Sequence, residues 1–298
     1  MSAWSGINRR DAIRLIAGSA TLMMTSSSAN AAQHLITRPI PSTGEELPVI
    51  GLGTWQTFDT GSADVLADFV NLGGKLIDSS PMYTGAESAI GQLAAKLKLH
   101  DKLFMATKVW TSGREAGIEQ MGSSMQQMRV KRLDLMQVHN LVDAATHLDT
   151  LAGWKRDGKV RYIGITHYTN GAHSEVMSYM RRYPVDFVQI NYSVADRAAE
   201  QRLLPLAIDR KIAVIANRPF STGDLFGRVR GKALPAWAKE IDADSWAQLF
   251  LKFIVSHPGV TVAIPATGKV THMRDNMKAQ YGRLPDAELR ERIARAIS

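Results

Sequence analysis

The sequence predicts an α/β fold, a closed (β/α)8 TIM barrel with an N-terminal β-hairpin and a C-terminal helix. Short, nearly continuous apolar runs alternate eight times with longer amphipathic stretches, as expected for parallel strands covered on both faces. These units fill about 265 residues, close to the typical size of such a barrel. The doubly wound alternative lacks its G-x-G-x-x-G turn, because Gly51 and Gly53 are followed by Thr54 and Trp55.

The hydrophobic pattern assigns each element in chain order. Apolar pairs around the turn at 42–44 predict the hairpin, and Leu289, Ile293 and Ala296 share one face of the last helix. The barrel strands are expected at 49–53, 75–78, 103–108, 133–139, 160–166, 187–191, 212–216 and 260–265. The barrel helices are expected at 62–72, 86–97, 114–128, 144–156, 172–182, 195–209, 244–256 and 271–280. Gly73-Gly74 and Asp157-Gly158 read as helix stops, and Asp244 reads as an N-cap.

The first 31 residues carry the pattern of a leader that is removed. Arg9 and Arg10 precede a mildly apolar run at 15–24, and Ala29-Asn30-Ala31 offers an A-x-A cleavage site. The run is too short and polar to span a bilayer, so no stable membrane insertion is expected. The stretch resembles a twin-arginine export signal, which implies the twin-arginine machinery as a partner and a periplasmic location. We therefore divide the chain into a signal peptide at 1–31 and a barrel domain at 32–298; a basic tail on a cytoplasmic protein is the alternative.

Composition excludes several classes of function. The chain has no cysteine, which rules out disulfides, thiolate catalysis and cysteine-ligated metals. The leader holds three Arg and one Asp, so 33 basic and 27 acidic residues remain, a net charge of +6. No basic stripe with interleaved aromatic residues is present, and no nucleic-acid partner is expected. A basic rim would suit a cofactor that carries phosphate.

Candidate catalytic residues stand at the ends of three consecutive strands. Asp78 ends one apolar run and Tyr83 follows it by five residues, Lys108 ends the next run, and His139 ends the one after. Barrel enzymes carry their chemistry at the carboxyl ends of the strands. The four side chains are therefore expected to meet at one rim.

Together with the G-L-G-T-W run at 51–55, these residues resemble the tetrad of the aldo-keto reductases, which occurs in the order Asp, Tyr, Lys, His. The resemblance implies reduction of aldehydes or ketones by hydride transfer from NAD(P)H. Tyr83 would be the acid, and Lys108 would favour its phenolate and lower a pKa of about 10. Asp78 would orient Lys108, and His139 would hydrogen-bond the carbonyl oxygen.

The same resemblance implies a cofactor that lies across the barrel mouth. Thr166-His167 stands where the family has Ser-Asn, and Asn217-Arg218-Pro219-Phe220 stands where it often has Tyr-Ser-Pro-Leu. The turn at 264–276 resembles the 2′-phosphate site, although fixed charges are missing at Ala266 and His272. NADP(H) is favoured and NAD(H) stays possible. The implied cofactor-binding residues are Thr54, Thr166, His167, Gln189, Asn217, Arg218, Pro219, Thr267, Lys269, His272, Arg274, Asp275 and Asn276.

The substrate is expected to be a small-molecule carbonyl compound, a small or aromatic aldehyde or ketone. Trp55 and Trp110 follow two strands and would line its pocket. The short loop at 140–143 predicts loose specificity, and the excursion at 221–241 predicts a lid over the cofactor. We expect a monomer without a metal.

Two other functions fit parts of the pattern. A cofactor-binding sensor or interaction module on the same fold, as in potassium-channel β subunits, would turn over slowly or not at all. A barrel metal hydrolase could use Asp78, His139 and His167 as ligands, but it would leave Lys108 and the turn at 264–276 without a role.

Overall fold

The computed structural model describes residues 34–58 and 62–297. The predicted leader and its cleavage site lie outside these residues, so both stay predictions. Within the described ranges, no helix is long and apolar enough to cross a membrane.

Eight parallel strands form the barrel, and each predicted strand is present. They are paired in chain order, from first to last. Parallel bridges from Ile50 to Ala263 and from Gly53 to Ala266 join the two ends of the sheet, so the barrel is closed. The strands are β3 (Leu52–Gly53), β4 (Leu76–Asp78), β5 (Phe104–Val109), β6 (Leu133–Val138), β7 (Val160–Thr166), β8 (Phe187–Asn191), β9 (Ala213–Asn217) and β10 (Val262–Ala263).

The hairpin precedes the barrel, as predicted. Its strands β1 (Thr37–Pro39) and β2 (Glu46–Pro48) pair in antiparallel register. Ile40 and Leu47 are buried with side chains of the barrel interior such as Phe104. The hairpin therefore adds its apolar side chains to the interior core of the barrel.

The glycines of the G-L-G run are required by this closure. A Cβ on Gly51 would lie 2.8 Å from the carbonyl oxygen of Leu76, and a Cβ on Gly53 would lie 2.8 Å from that of Ile264. Neither backbone oxygen can move without breaking the sheet. The run is thus explained by the approach of neighbouring strands.

Ten α-helices are described, and all eight predicted barrel helices are among them. They are α1 (Ala63–Asn71), α2 (Ala86–Leu97), α3 (Arg114–Gln127), α4 (Ala144–Arg156), α5 (His173–Arg182), α6 (Ala199–Asp209), α7 (Asp224–Arg228), α8 (Trp246–Val255), α9 (Val270–Lys278) and α10 (Ala287–Ala296). In α10, Leu289 and Ile293 are buried, as the amphipathic pattern predicts.

Two helix starts differ from the prediction by more than one residue. Ser245, and not Asp244, caps α8, because its extended backbone lets the hydroxyl accept from the amide of Gln248. The start of α6 lies four residues later than expected, because Ser193 and Asp196 close a turn on each other through their backbones.

The excursion at 221–241 is packed onto the fold by its own apolar residues. It contains α7 and a 3-10 helix, Ala236–Ile241. Leu225, Ala238 and Ile241 are buried, and the rings of Phe220 and Phe226 lie 4.9 Å apart. A role of this segment as a lid stays a prediction.

Candidate active site

A buried ion pair stands at the carboxyl ends of β4 and β5. Lys108 is 0% exposed and Asp78 is 2% exposed, and Lys108 Nζ lies 2.5 Å from Asp78 Oδ2. The ammonium also donates to the carbonyl oxygen of Ser79 at 2.6 Å. The other carboxylate oxygen accepts from the amides of Gln137 at 3.0 Å and Gln189 at 2.9 Å. Every oxygen of Asp78 therefore has a donor, which fixes the ammonium in place.

Lys108 is charged in this position. Burial acts to lower the pKa of Lys108, but the neighbouring Asp78 and Tyr83 outweigh burial and raise that pKa above its ordinary value. The ammonium lies 5.0 Å from the centroid of the Tyr83 ring. A permanent positive charge therefore faces the phenol.

The pKa of Tyr83 differs in direction from the expectation. Burial raises the pKa of Tyr83, and this effect outweighs Lys108, which acts to lower it as predicted. Asp78 adds to the rise because a second negative charge nearby is unfavourable. Tyr83 therefore holds its proton, which is the form that an acid needs.

His139 is neutral and directed by a hydroxyl. Its Nδ1 lies 3.1 Å from Ser80 Oγ, and its ring stands perpendicular to that of Tyr83 with centroids 6.0 Å apart. Burial lowers the pKa of His139 to about 3, and Lys108 and His167 add to this effect. If the Ser80 hydroxyl donates to Nδ1, the proton is on Nε2, which can then donate to an oxygen.

Trp110 lies beside the tetrad, and the role of Trp55 in the pocket stays a prediction. The Trp110 ring is 43% exposed and lies 6.4 Å from that of His139. Its backbone amide donates to Gln120 Oε1 at 2.6 Å, which fixes the start of the loop after β5. Trp55 is 42% exposed, and the described residues place no other ring against it. Trp110 is thus the better placed pocket wall.

Thr54 occupies a supporting position. It is buried, and its hydroxyl donates to the carbonyl oxygen of Asp78 at 2.9 Å and lies 3.1 Å from Ser79 Oγ, whose hydroxyl can donate to it. These bonds tie the end of β3 to the end of β4. Thr54 was predicted to bind the cofactor, but its hydroxyl is directed at the backbone of Asp78.

The residues after β7 and β9 form a stacked column. The His167 and Tyr168 rings are parallel within 11° with centroids 5.5 Å apart, and the Arg218 guanidinium lies 4.5 Å from the Tyr168 centroid. His167 Nδ1 accepts from the amide of Tyr168 at 3.0 Å. A cavity of about 130 Å³ opens beside Tyr168 and Arg218. Arg218 makes no ion pair within the described residues, so its charge is available to a phosphate.

The amide-binding positions meet around the same rim. The Thr166 hydroxyl accepts from the amide of Asn140 at 3.3 Å, and Asn217 Nδ2 donates to the carbonyl oxygen of His167 at 3.3 Å. The side-chain oxygens of Asn140 and Asn217 are buried acceptors without a partner in the described residues. A carboxamide supplies N–H donors of the kind that such acceptors lack, so the residues fit a nicotinamide. Gln189 directs its side-chain amide nitrogen at Asp78, and Pro219 is buried.

The turn before α9 is only partly free to meet a phosphate. Lys269 and His272 are exposed and make no ion pair within the described part of the chain. Arg274 pairs with Asp68 at 2.6 Å, and Asp275 accepts from Ser245 and Gln248 on α8. The Thr267 hydroxyl accepts from the amide of Lys269, and Asn276 is buried. Asp275 thus joins α9 to α8, whereas Lys269 and His272 can take an anion.

Four contributing residues were not predicted. Ser80 directs His139, Gln137 holds Asp78, and Tyr168 forms the column. Glu87 lies behind β5, where it accepts from Thr107 and from Ser124, and burial raises the pKa of its carboxyl. For Gln137 a signal existed, because it lies two residues before His139 and so faces the same side of the strand.

The described residues contain no set of ligands for the metal of the alternative hydrolase hypothesis. Within residues 34–58 and 62–297, no three or more His, Cys, Asp or Glu side chains lie close enough together to hold a metal. Both oxygens of Asp78 are engaged by Lys108 and two glutamines. The geometry around Asp78 is that of an ion pair that orients an ammonium.

Comparison with known proteins finds similarity along most of the chain. Residues 49–294 match the sequence model described as the aldo/keto reductase family. Methylglyoxal reductase YeaE of Escherichia coli is 29% identical over 262 residues, which are 82% of this chain and 89% of that protein.

Solved structures share the barrel. The holo form of aldo-keto reductase AKR11C1 from Bacillus halodurans is 19% identical, with a TM-score of 0.73 over 88% of this chain and 96% of its own. An aldo/keto reductase from Klebsiella pneumoniae in complex with NADP and acetate is 24% identical, with a TM-score of 0.69 over 85% and 92%. At these identities the likeness concerns the fold.

Proposed function

The chain belongs to the aldo/keto reductase family, and from that membership we propose that it reduces aldehydes or ketones to alcohols with NAD(P)H. The observation that carries the proposal is the buried ammonium of Lys108, 2.5 Å from Asp78 and 5.0 Å from the Tyr83 ring centroid. An ion pair that served stability alone would not need a phenol at its open side.

Each side chain of the site has its own role at the carbonyl oxygen of the substrate. Tyr83 gives its proton to this oxygen, and the Lys108 ammonium stabilises the phenolate that remains. His139 is neutral and donates a hydrogen bond that positions the oxygen. Trp110 excludes water from one side of the pocket. Bound nicotinamide would supply the hydride, held at its amide by Asn217 and the residues after β7.

The proposed substrates are small aldehydes and ketones. Methylglyoxal belongs among the first to test, because it is the substrate named for the Escherichia coli relative. The short segment between His139 and α4 leaves the pocket open on that side. A broad substrate range follows from an open pocket with one tryptophan wall.

We expect NADPH to bind more tightly than NADH, by about fivefold or more, because Lys269 and His272 offer cationic or hydrogen-bonding groups to a 2′-phosphate. Titration of the tryptophan fluorescence of the mature protein measures both affinities. Lys269→Ala, just before α9, should weaken the binding of NADPH and leave that of NADH unchanged. Lys278→Ala, at the other end of α9, is the control. Equal affinities for both cofactors would contradict the preference.

The same titration, followed by turnover on a panel of carbonyl compounds, tests the function itself. Binding with turnover supports the reductase. Binding without turnover on any compound would favour the sensor or interaction module. No binding of either cofactor would overturn both.

Reduction is expected to proceed at constant kcat from about pH 5 to about pH 9. Burial raises the pKa of Tyr83 above 10.0, so the acid loses its proton only when the pH rises beyond that range. The pKa of His139 is lowered to about 3, so its ring gains a proton only far below it. A pH profile of kcat checks this, and a decline centred near pH 7 would show that another group controls the step.

The proposed location is the periplasm, reached by twin-arginine export with the signal at 1–31. This pathway carries folded proteins, so the cofactor could be bound before transport. Replacing Arg9 and Arg10 by lysine in a leader–reporter fusion should abolish export, whereas Arg14→Lys should leave it intact. A reporter that stays in the cytoplasm with the natural leader would place the enzyme there instead.

A further inference from the structure

A second cavity lies at the end of the barrel opposite the tetrad. It has a volume of about 820 Å³ and is lined by residues at the starts of β5, β6 and β7 and by the hairpin. Phe104 begins β5 and lines this cavity, whereas Lys108 on the same strand belongs to the tetrad. Four residues of strand separate them by roughly 13 Å. We call this feature the basal cavity.

The basal cavity carries an unbalanced positive charge. Its acids are few: Glu45 and Asp134 are both paired with Arg161, and Asp101 is the third. Five exposed cationic side chains line it and make no ion pair with any described residue; they are Lys75, Lys102, Arg129, Lys131 and Arg132.

The shape and walls of the cavity strengthen this charge. Like charges on a concave surface repel one another, and low-dielectric walls concentrate their potential toward the opening. Leu47, Phe104 and Val130 supply apolar wall beside the cations. The volume lies within the range of about 300–1,000 Å³ that is usual for small-molecule sites. Cations on a convex, solvated face would have none of these features.

We propose that the basal cavity binds a ligand that carries a phosphate group, either a free phosphorylated small molecule or the headgroup of an anionic phospholipid. Arginine matches the geometry of phosphate oxygens with paired N–H donors, and lysines add charge. The apolar wall takes the uncharged part of the ligand. The site is separate from the cofactor and does not depend on the proposed reaction.

Calorimetric titration with inorganic pyrophosphate tests the proposal. The full mature protein is saturated with NADP⁺ beforehand, so that phosphate positions at the barrel mouth are filled. One saturable site is expected, and its affinity should fall steeply with salt. The double variant Arg129→Ala and Arg132→Ala should weaken pyrophosphate binding at least tenfold. Lys75→Gln, which removes a cation from a different segment of the wall, should weaken it as well.

The matched control removes the same charge elsewhere. Arg202→Ala with Lys211→Ala takes two exposed cations from the region of α6, and Lys211, with φ 55°, matches the backbone conformation of Arg129, with φ 56°. The control should bind as the natural chain does. Equal pyrophosphate affinities of the two double variants would overturn the proposal. So would the absence of both saturable pyrophosphate binding and binding to anionic vesicles by the natural chain.

Vesicles distinguish the two sources of phosphate. Cosedimentation with phosphatidylglycerol vesicles, but not with phosphatidylcholine vesicles, that is lost in the Arg129 and Arg132 variant assigns a lipid headgroup. Pyrophosphate binding without cosedimentation assigns a free ligand. Cosedimentation that is equal in both double variants, with no pyrophosphate binding, would again overturn the site.

Discussion

Replacing Tyr83 with phenylalanine is expected to lower kcat for carbonyl reduction by about a thousandfold, within the range known for loss of a general acid. The phenol lies beside the Lys108 ammonium, where it can give up a proton and leave an anion that the ammonium stabilises. The ring itself is retained, so its contact with His139 and the shape of the pocket are kept. The loss should therefore fall on kcat, with little change in KM.

Steady-state kinetics with methylglyoxal and a fluorescence titration with NADPH check this together. Tyr179→Phe is the matched control. Tyr179 lies on α5, away from the tetrad, and its ring stacks on that of Tyr183. Its kcat should equal that of the natural chain. A Tyr83→Phe protein that keeps its kcat would show that another group is the acid; one that loses NADPH binding would show that Tyr83 supports the cofactor site instead.

The strand order and the meeting of the tetrad could be predicted, because both follow from a local rule. Each apolar run ends in a polar residue, and parallel neighbours place those ends at one rim. Asp78, Lys108 and His139 are brought together for this reason. The closed barrel was predicted as well, but the reason for glycine at 51 and 53 needed the structure, because it lies in the approach of Leu76 to Gly51 and of Ile264 to Gly53.

The contacts of the tetrad residues depend on how deeply each side chain is buried and on where it points, and the sequence shows neither. Gln189 was assigned to the cofactor, yet its amide nitrogen is directed at Asp78, because β8 lies opposite β4 across the barrel interior. The net direction of the Tyr83 pKa likewise depends on how much water burial removes, and burial outweighs the charge of Lys108.

The basal cavity shows the same limit at the other end of the barrel. Its cations come from segments far apart in sequence. Lys75 and Lys102 stand singly, and R-V-K-R at 129–132 is a short basic cluster whose place beside them the sequence does not show. The modest net charge of residues 32–298 also hides the cluster, because acids elsewhere offset it. Only the starts of several strands, placed side by side, reveal it.

Replacing Lys108 with methionine should lower both activity and stability, and the two losses can be separated. Without the ammonium, Asp78 is a buried carboxylate held by two glutamine amides, so the free energy of unfolding should fall by about 3 kcal/mol or more. The phenolate of Tyr83 also loses its counter-charge, so kcat should fall at least about a hundredfold.

The double variant Lys108→Met with Asp78→Asn separates these effects. It removes both charges from the buried pair, and an asparagine oxygen can still accept from Gln137 and Gln189. Denaturant unfolding should show most of the stability regained, while kcat stays low because the ammonium beside Tyr83 is still missing. If kcat recovered together with stability, the Asp78–Lys108 pair would be structural, and the stabilisation of the phenolate would have to come from another charge, for which Arg218 is the candidate at the rim.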